Sequence, residues 1–194
     1  TMAFLCRADL QLSPGKLAVQ CAHAAVSSLT QAKKTHSRMV QRWSESASRK
    51  VCLAVEDEEE LEYYLQQVRE ASLPFALIKD AGLTEVAPGT VTVLGVGPGP
   101  RHTMDSLFKN LKAYECGHTM GFRSFLHRLT APKFQRYVQR DQSLKMVFVI
   151  NHDLKMGKGK IAAQVGHAAV KATLKSGEVR PELLDAWLST GQKK

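Results

Sequence analysis

Several familiar signatures are missing from this sequence of 194 residues. No apolar run approaches the ~20 residues that a membrane-spanning helix needs. The cysteines show no CxxC pair and no Cys/His spacing typical of a zinc site. No nucleophile-elbow motif occurs, and the glycine-rich residues 95–100 contain prolines and lack the lysine of a P-loop. The sequence therefore argues against a membrane protein, a zinc protein, an elbow-type serine hydrolase and a P-loop nucleotidase.

The four cysteines are Cys6, Cys21, Cys52 and Cys116. Cys6 and Cys52 lie in apolar runs typical of strands, and Cys21 lies in a helical pattern. We favour buried, reduced thiols in a cytosolic-type compartment over disulfides or a metal site. The first residue is Thr, so we expect that the start has been trimmed and that any upstream targeting segment is missing.

The net charge of +9 is unevenly distributed. Residues 1–115 contain thirteen basic and thirteen acidic side chains, whereas residues 116–194 contain fourteen basic and five acidic ones. A basic section suggests a polyanionic partner such as nucleic acid. A solvated basic tail without a partner explains the charge equally well.

Strand-like and helical patterns alternate along the first 115 residues. Such alternation predicts an α/β fold with a sheet covered by helices. Acidic residues 57–60 open one helix, where carboxylates favour the positive end of the helix dipole, and we prefer this capping role to a metal site. We predict strands near residues 3–6, 51–55, 75–78 and 90–96, and helices from Ser13 to about Gln31, over 37–43, after residue 57 and after Pro100.

One segment of the chain occurs twice. Residues 7–26 read RADLQLSPGKLAVQCAHAAV, and residues 151–170 read NHDLKMGKGKIAAQVGHAAV. The pairs Lys16/Lys160, Gln20/Gln164, His23/His167 and Trp43/Trp187 keep a constant offset of 144 positions. The chain therefore contains an internal repeat, whose second copy ends at the position that matches residue 50.

Two groups of polar residues are candidates for a functional site. Lys16, Gln20 and His23 are spaced i, i+4 and i+7, which places them on one face of a helix. Asp80 ends a predicted strand, and ligands of α/β sheets commonly bind beyond the carboxyl ends of strands. An ordinary helix face and a loop-capping aspartate are the alternatives for these two features.

The segments DLKMGKGKIAAQVGHAAV, LIKDAGLTEVAPGTVTVLGVGPGP and DSLFKNLKAY resemble the type-2 peptidyl-tRNA hydrolases. In order, residues 3–114 are similar to that family's whole domain. The resemblance implies a mixed four-stranded sheet flanked by helices. It also implies hydrolysis of the ester between peptide and tRNA, without a metal or an organic cofactor.

The resemblance also implies a site made of Lys16, Gln20, His23, Asp80, Thr84 and Thr92. As a working hypothesis, Asp80, helped by Thr92, orients or deprotonates a water that attacks the ester carbonyl. Lys16 stabilises the developing oxyanion or a nearby phosphate. Gln20 and His23 hold these groups and contact the end of the RNA, and Thr84 contacts the substrate.

The first copy departs from the family pattern in one loop. The basic loop LKMGKGK is intact at residues 154–160, whereas residues 10–16 read LQLSPGK. Two lysines, at the positions of Lys155 and Lys158, are missing from the first copy. This loss predicts weaker RNA binding by the first unit, so Lys155, Lys158, Lys160, Gln164 and His167 of the second copy become candidates for tRNA contacts.

We divide the chain into a complete domain (1–115), a basic linker (116–144) and a partial second copy with the first strand and helices only (145–194). The second copy is a fragment of a longer tandem arrangement, a permuted half that replaces residues 1–50, or a segment exchanged in a homodimer. We expect the contiguous domain, because its parts are close in sequence.

The leading interpretation is a peptidyl-tRNA hydrolase in the cytoplasm or the mitochondrion, with peptidyl-tRNA as its partner and no membrane or metal. The alternative is a weakly active or inactive module of the same fold that binds RNA or a protein. A possible homodimer is the remaining partner prediction.

Overall fold

The computed structural model describes residues 1–114 and 144–192. The predicted linker, apart from Leu144, lies outside these residues, as does Cys116.

The four predicted strands form one mixed sheet. They are β1 (Met2–Arg7), β2 (Lys50–Val55), β3 (Phe75–Lys79) and β4 (Val91–Val96), in the order β2-β1-β4-β3. β1 is parallel to β2 and antiparallel to β4, and β3 is antiparallel to β4. This strand order is the one that the contiguous domain requires, and the division of the chain into domains stays a prediction. In the permuted arrangement a strand of the second copy would replace β1, whereas here β1 of the first copy occupies an interior position in the sheet.

Helices cover both faces of this sheet. They are α1 (Pro14–Thr35), α2 (Ser37–Glu45), α3 (Glu58–Glu70) and α4 (Arg101–Leu107). The Ser13 hydroxyl accepts a hydrogen bond from the Lys16 amide, and the Asp57 carboxylate accepts one from the Glu60 amide, so both predicted helix starts are capped. Among the described residues, no helix is both long and apolar enough to cross a membrane.

Side chains of β1 alternate between two hydrophobic cores, as the period of a strand requires. Phe4 and Cys6 pack with α1 and α2 on one face of the sheet. Ala3 and Leu5 pack with α3 and α4 on the other face. This double burial explains why the strand reads as an uninterrupted apolar run.

The predicted apolar stripe of α1 packs on the sheet. Leu17, Cys21 and Ala24 belong to the same core as Phe4. A Cβ at Gly95 of β4 would lie 2.9 Å from the Cβ of Ala24, so the glycine permits the close approach of α1. The helix that carries the candidate residues is thus fixed directly on the central strands.

The three described cysteines meet within this core. The sulfur of Cys6 lies 3.5 Å from the sulfurs of both Cys21 and Cys52, and all three thiols are buried and unbridged. Burial raises the pKa of Cys6 and of Cys21, which keeps these thiols protonated. The apolar and helical patterns around these cysteines predicted that they are buried, but not that their sulfurs meet.

The helices of the second copy repeat those of the first. α5 (Lys158–Val179) has 22 residues like α1, and α6 (Pro181–Ser189) has nine like α2. A short 3-10 turn, His152–Leu154, precedes α5. The repeat seen in the sequence is therefore also a repeat of local structure.

The predicted first strand of the second copy does not form. Residues 144–150 contain no strand, and the side chains of Val147 and Val149 are 78% and 96% exposed. A strand requires neighbours that pair with its backbone groups, and among the described residues the second copy has no counterparts of β2 and β4. Its helices fold without the sheet because their backbone hydrogen bonds are internal.

Instead of building a second sheet, α5 packs against the first domain. Val165 and Ala169 pack on a second face of α1 formed by Ala18, Ala22 and Val26. Two glycines bring α5 close: a Cβ at Gly166 would lie 2.8 Å from the Phe4 ring, and a Cβ at Gly159 would lie 2.0 Å from the Tyr114 carbonyl oxygen. The second copy is therefore an additional helical layer beside α1.

We expect Gly159→Ala to disturb the packing of α5, because the new methyl group would overlap the Tyr114 carbonyl. The free energy of unfolding should fall by about 1–3 kcal/mol, which is typical of overpacking. Gly157→Ser is the matched control, since a Cβ at Gly157 meets nothing within 4 Å and serine is favoured at this N-cap position. Equal denaturation midpoints for the two variants would contradict the described packing.

Candidate active site

The candidate residues of the first copy converge at one end of the sheet. β1 runs parallel to β3 and antiparallel to β4, so the carboxyl ends of β1 and β3 lie beside the amino end of β4. Asp80 follows β3 directly, Thr92 lies near the start of β4, and the β1–α1 loop leads into Lys16 and Gln20. The fold thus brings together residues that are up to 76 positions apart in the sequence.

Asp80 is the centre of this arrangement. Its Oδ2 atom lies 2.5 Å from the Lys16 Nζ and accepts a hydrogen bond of 2.7 Å from the Gln20 Nε2. Its Oδ1 atom accepts a 2.7 Å hydrogen bond from the Gly82 amide. The Asp80 side chain is only 4% exposed and that of Lys16 14%, so the ion pair is largely shielded from solvent.

Thr92 acts on Asp80 through Gln20. The Thr92 hydroxyl donates to the Gln20 Oε1 at 2.9 Å and lies 3.3 Å from the Ile78 carbonyl. An ionised carboxylate only accepts hydrogen bonds, so the amide group of Gln20 must direct its NH₂ towards Asp80 and its oxygen towards Thr92. Thr92 therefore reaches Asp80 only through Gln20, whose amide it orients, and its help to Asp80 in the reaction stays a prediction.

The surroundings of Asp80 lower its pKa. Burial acts to raise the pKa of this carboxyl, but the hydrogen bonds from Lys16, Gly82 and Gln20, together with the charge of Lys16, outweigh burial. Asp80 therefore remains ionised at neutral pH. A carboxylate offers about four acceptor positions, so its chemistry allows a hydrogen bond from a water molecule in addition to those from these three donors.

Two residues that the sequence did not indicate hold the surrounding loops. Glu85 accepts hydrogen bonds from the Ser13 amide at 2.8 Å and from the Ser13 hydroxyl at 2.5 Å. Arg7 is buried, forms ion pairs with Asp9 and Glu58, and donates to the Val91 carbonyl beside Thr92. No local pattern reveals these pairs, since Glu85 and Ser13 lie 72 positions apart.

The loop after Asp80 depends on a glycine. Gly82 has φ = +75°, and a Cβ there would lie 2.3 Å from the Pro88 nitrogen. Both constraints exclude an ordinary side chain. The Gly82 amide can therefore reach the Asp80 carboxylate, which explains why the sequence DAG follows β3.

The remaining residues of the first copy flank this centre. His23 follows Gln20 by three positions on α1 and is half-buried. Thr84 is exposed on the loop that Glu85 ties to the start of α1. Both residues thus lie close in the sequence to residues that contact Asp80 or hold its loop.

The second copy contributes its basic loop at the same end of α1. The Lys158 Nζ donates to the carbonyl of Leu12 at 3.2 Å. Leu12 lies within the loop that lacks the two lysines. Lys155 has φ = 46° and Gln11, its counterpart in the first copy, has φ = 48°, so the two loops share a left-handed residue at the same position.

The other three candidates of the second copy lie elsewhere. Lys160, Gln164 and His167 line a cleft beside β2, and His167 contacts Lys50 rather than Asp80. The structure therefore does not bring these three side chains to Asp80 and Thr92, as the combined site of the permuted arrangement would require. The reason is that α1 already occupies the position over β3 and β4.

Potential metal ligands converge at a different place. Among the described residues, Cys6, Cys21 and Cys52 bring three such atoms within 4.8 Å of one another. These sulfurs lie in the hydrophobic core and none belongs to the Asp80 contacts. The chemistry available around Asp80 is that of an ionised carboxylate, an ammonium group and an amide, which can orient a water molecule and stabilise negative charge.

Comparison with known proteins identifies the family. The family model described as Peptidyl-tRNA hydrolase PTH2 matches residues 1–114 and 144–194, which is most of the chain. The chain belongs to this family. The two matched segments correspond to the two copies of the repeat, and the family assignment agrees with the observed mixed four-stranded sheet.

Curated relatives of the PTH2 family share about two fifths of their aligned residues with the chain. It is 41% identical over 113 residues to human "Peptidyl-tRNA hydrolase 2, mitochondrial". The aligned region covers 58% of this chain and 63% of that protein. It is 42% identical over 106 residues to "Peptidyl-tRNA hydrolase" of Thermococcus sibiricus, which covers 55% of this chain and 90% of that protein. The chain thus spans less than two thirds of the human relative and most of the archaeal one.

The ion pair at Asp80 predicts a pH dependence of stability in this PTH2 protein. Because the folded pKa of Asp80 lies below its unfolded value of about 3.9, the pair stabilises the fold above that pH and the stabilisation is lost as pH falls through the folded pKa. We expect Asp80→Asn to lower the free energy of unfolding by about 3 kcal/mol at neutral pH. Urea denaturation from pH 3 to pH 8 should show this difference shrinking only at the acidic end. A difference that grows on acidification would contradict the assignment.

Proposed function

We propose that this chain hydrolyses the ester bond that joins the peptide to tRNA in peptidyl-tRNA, which releases the tRNA for reuse. The observation that carries the proposal is the buried Asp80 carboxylate held between Lys16 and Gln20. The family assignment and the printed names of its relatives support this reaction. The products are a peptide carboxylate and the free hydroxyl of the terminal ribose.

Asp80 orients the attacking water. Because its pKa is lowered, Asp80 is an ionised hydrogen-bond acceptor at neutral pH but a weak base. We therefore propose that it orients the water and supplies negative charge, and that it does not retain the proton of the water. Gln20 and Thr92 are positioning residues, because they fix the carboxylate without donating to the reacting atoms.

Lys16 stabilises the charge that develops on the ester oxygen. Its ammonium group has three donors, of which Asp80 takes one, and the others are available to a substrate oxygen. The largely buried position strengthens this interaction, since the local dielectric constant is lower than in water. We assign His23 and Thr84 to contacts with the end of the RNA.

The second copy supplies positive charge that the first copy lacks. Residues 1–115 are neutral overall, and the first loop has Gln11 and Pro14 at the positions of the missing lysines. Lys158 contacts this loop directly through the Leu12 carbonyl. We therefore propose that Lys155 and Lys158 of the second copy contact the phosphate backbone of a tRNA whose end lies in the site of the first copy.

A module that binds without turnover is the second candidate function. The observation that favours it is the loss of the two loop lysines from the first copy. The intact network around Asp80 favours the enzyme, because a buried ion pair is costly to keep when a hydrophobic pair would serve the fold equally well. Turnover of a blocked aminoacyl-tRNA separates the two candidates.

Assembly and compartment stay predictions. The homodimer, including one with exchanged second copies, is checked by light scattering of the full chain. We keep the cytoplasm as the proposed compartment because the described cysteines are unbridged thiols. The mitochondrion is the alternative, since human and bovine relatives are named mitochondrial.

We expect Asp80→Asn to lower kcat/KM for a blocked aminoacyl-tRNA by about 10²–10⁴, since asparagine cannot supply the negative charge that orients the water. Binding of the intact tRNA should change little. Asp185→Asn, the same chemical change at an exposed position of α6, should leave turnover unchanged. The assignment would be wrong if Asp80→Asn kept full activity.

The double variant Lys155→Gln/Lys158→Gln should weaken tRNA binding and flatten its salt dependence. Removal of two phosphate contacts should lower the slope of log Kd against log salt by about 1.4–1.8. The matched control is Lys33→Gln/Lys34→Gln, an equal charge change at exposed positions about 25 Å further along α1. Equal effects of the two double variants would show that only the net charge matters.

A further inference from the structure

A large cleft lies between β2 and α5, apart from the contacts of Asp80. Its volume is about 860 Å³, which is in the range of small-molecule sites. One wall is the edge strand β2 with the residues before it, and the other wall is the first half of α5. We call it the β2 cleft; its lining includes the polar side chains of Ser48, Arg49, Lys50, Tyr114, Lys160, Gln164 and His167.

The β2 cleft contains the second copy of the lysine, glutamine and histidine triplet in a different environment. In the first copy, Lys16 and Gln20 face the carboxylate of Asp80. In the β2 cleft, no carboxylate occurs among the described residues that form its lining. The same donor groups therefore meet positive rather than negative neighbours.

Lys50 concentrates positive charge at the wall of the cleft. Its Nζ lies 3.0 Å from the His167 Nδ1, 3.0 Å from the Ser48 carbonyl oxygen and 4.4 Å from the centre of the Trp43 ring. Burial and the neighbouring charge of Lys171 lower the pKa of Lys50 to about 8. These contacts hold the Lys50 ammonium group at a partly buried position, where its charge is less favourable than in water.

The other charges around the cleft do not offset Lys50. Arg49 forms an ion pair with Asp105 at 2.9 Å, so its charge is already compensated. Lys160 is exposed towards the cleft, and burial together with Lys50 and Lys171 lowers the pKa of His167. An anion in the cleft would offset the repulsion between the positive charges of Lys50 and Lys171, and it would accept hydrogen bonds from several donors at once.

We infer that the β2 cleft binds a phosphate group of a nucleotide or an RNA, with Lys50, Lys160 and His167 as the ligands of the phosphate. The volume leaves room for the attached nucleoside, and the Gln164 amide offers both a donor and an acceptor to a base. This site is formed jointly by the two copies of the repeat. It does not depend on hydrolysis, because it contains none of the Asp80 contacts.

The test is titration calorimetry of the full chain with three probes: inorganic phosphate, adenosine monophosphate and a short single-stranded RNA. We expect saturable binding that is weakened about tenfold by Lys160→Gln and by Lys50→Gln, since each removes a charge-assisted hydrogen bond. Lys160 is exposed, so its variant should fold normally even if Lys50→Gln is less stable. Thermal unfolding of each variant checks this point.

Lys175→Gln is the matched control, because it removes one charge from the same helix at a side chain that is 73% exposed and pairs with Glu178. Its affinities should equal those of the unmodified chain. Tighter binding of the RNA than of the monophosphate assigns the phosphate to RNA, and the reverse assigns it to a free nucleotide. No saturable binding of any probe, or an equal loss in Lys175→Gln, would overturn the inference.

Discussion

The packing of α1 is the constraint on which the rest of this molecule depends. One face of the helix, with Leu17 and Cys21, lies on the sheet, and a second face, with Ala18 and Ala22, receives α5. A third face directs Lys16 and Gln20 towards Asp80. Because one rigid helix carries all three faces, the position of the ion pair is fixed by the hydrophobic contacts on the other two.

The second copy shows how a partial repeat can be used without a second sheet. Helices satisfy their own backbone hydrogen bonds, whereas a strand requires partners, so α5 and α6 fold and the segment before them stays unpaired. The apolar face of α5, which in a complete domain would cover a sheet of its own, packs on α1 and Phe4 instead. Small residues such as Gly159 and Gly166 make this close packing possible.

Identical side chains acquire different chemistry in the two copies because their neighbours differ. Lys16 lies against a carboxylate, which keeps Asp80 ionised and leaves donors of the ammonium group for a substrate oxygen. Lys160 and His167 line a cleft together with Lys50, which contacts His167, and no carboxylate occurs among the described lining residues. A repeated sequence therefore does not produce a repeated site, because the chemistry of a site also depends on the residues that the fold brings into contact with the repeated side chains.

From the sequence we could predict the four strands, the capped starts of α1 and α3, the internal repeat and the grouping of Lys16 with Gln20. These features follow from local periodicity, capping residues and the order of family motifs. The folded structure was needed to show that Thr92 contacts Gln20, that Glu85 holds Ser13, that three cysteines meet and that α5 lies beside α1. The physical reason is that these contacts join residues far apart in the chain, and their partners are selected by packing rather than by any local pattern.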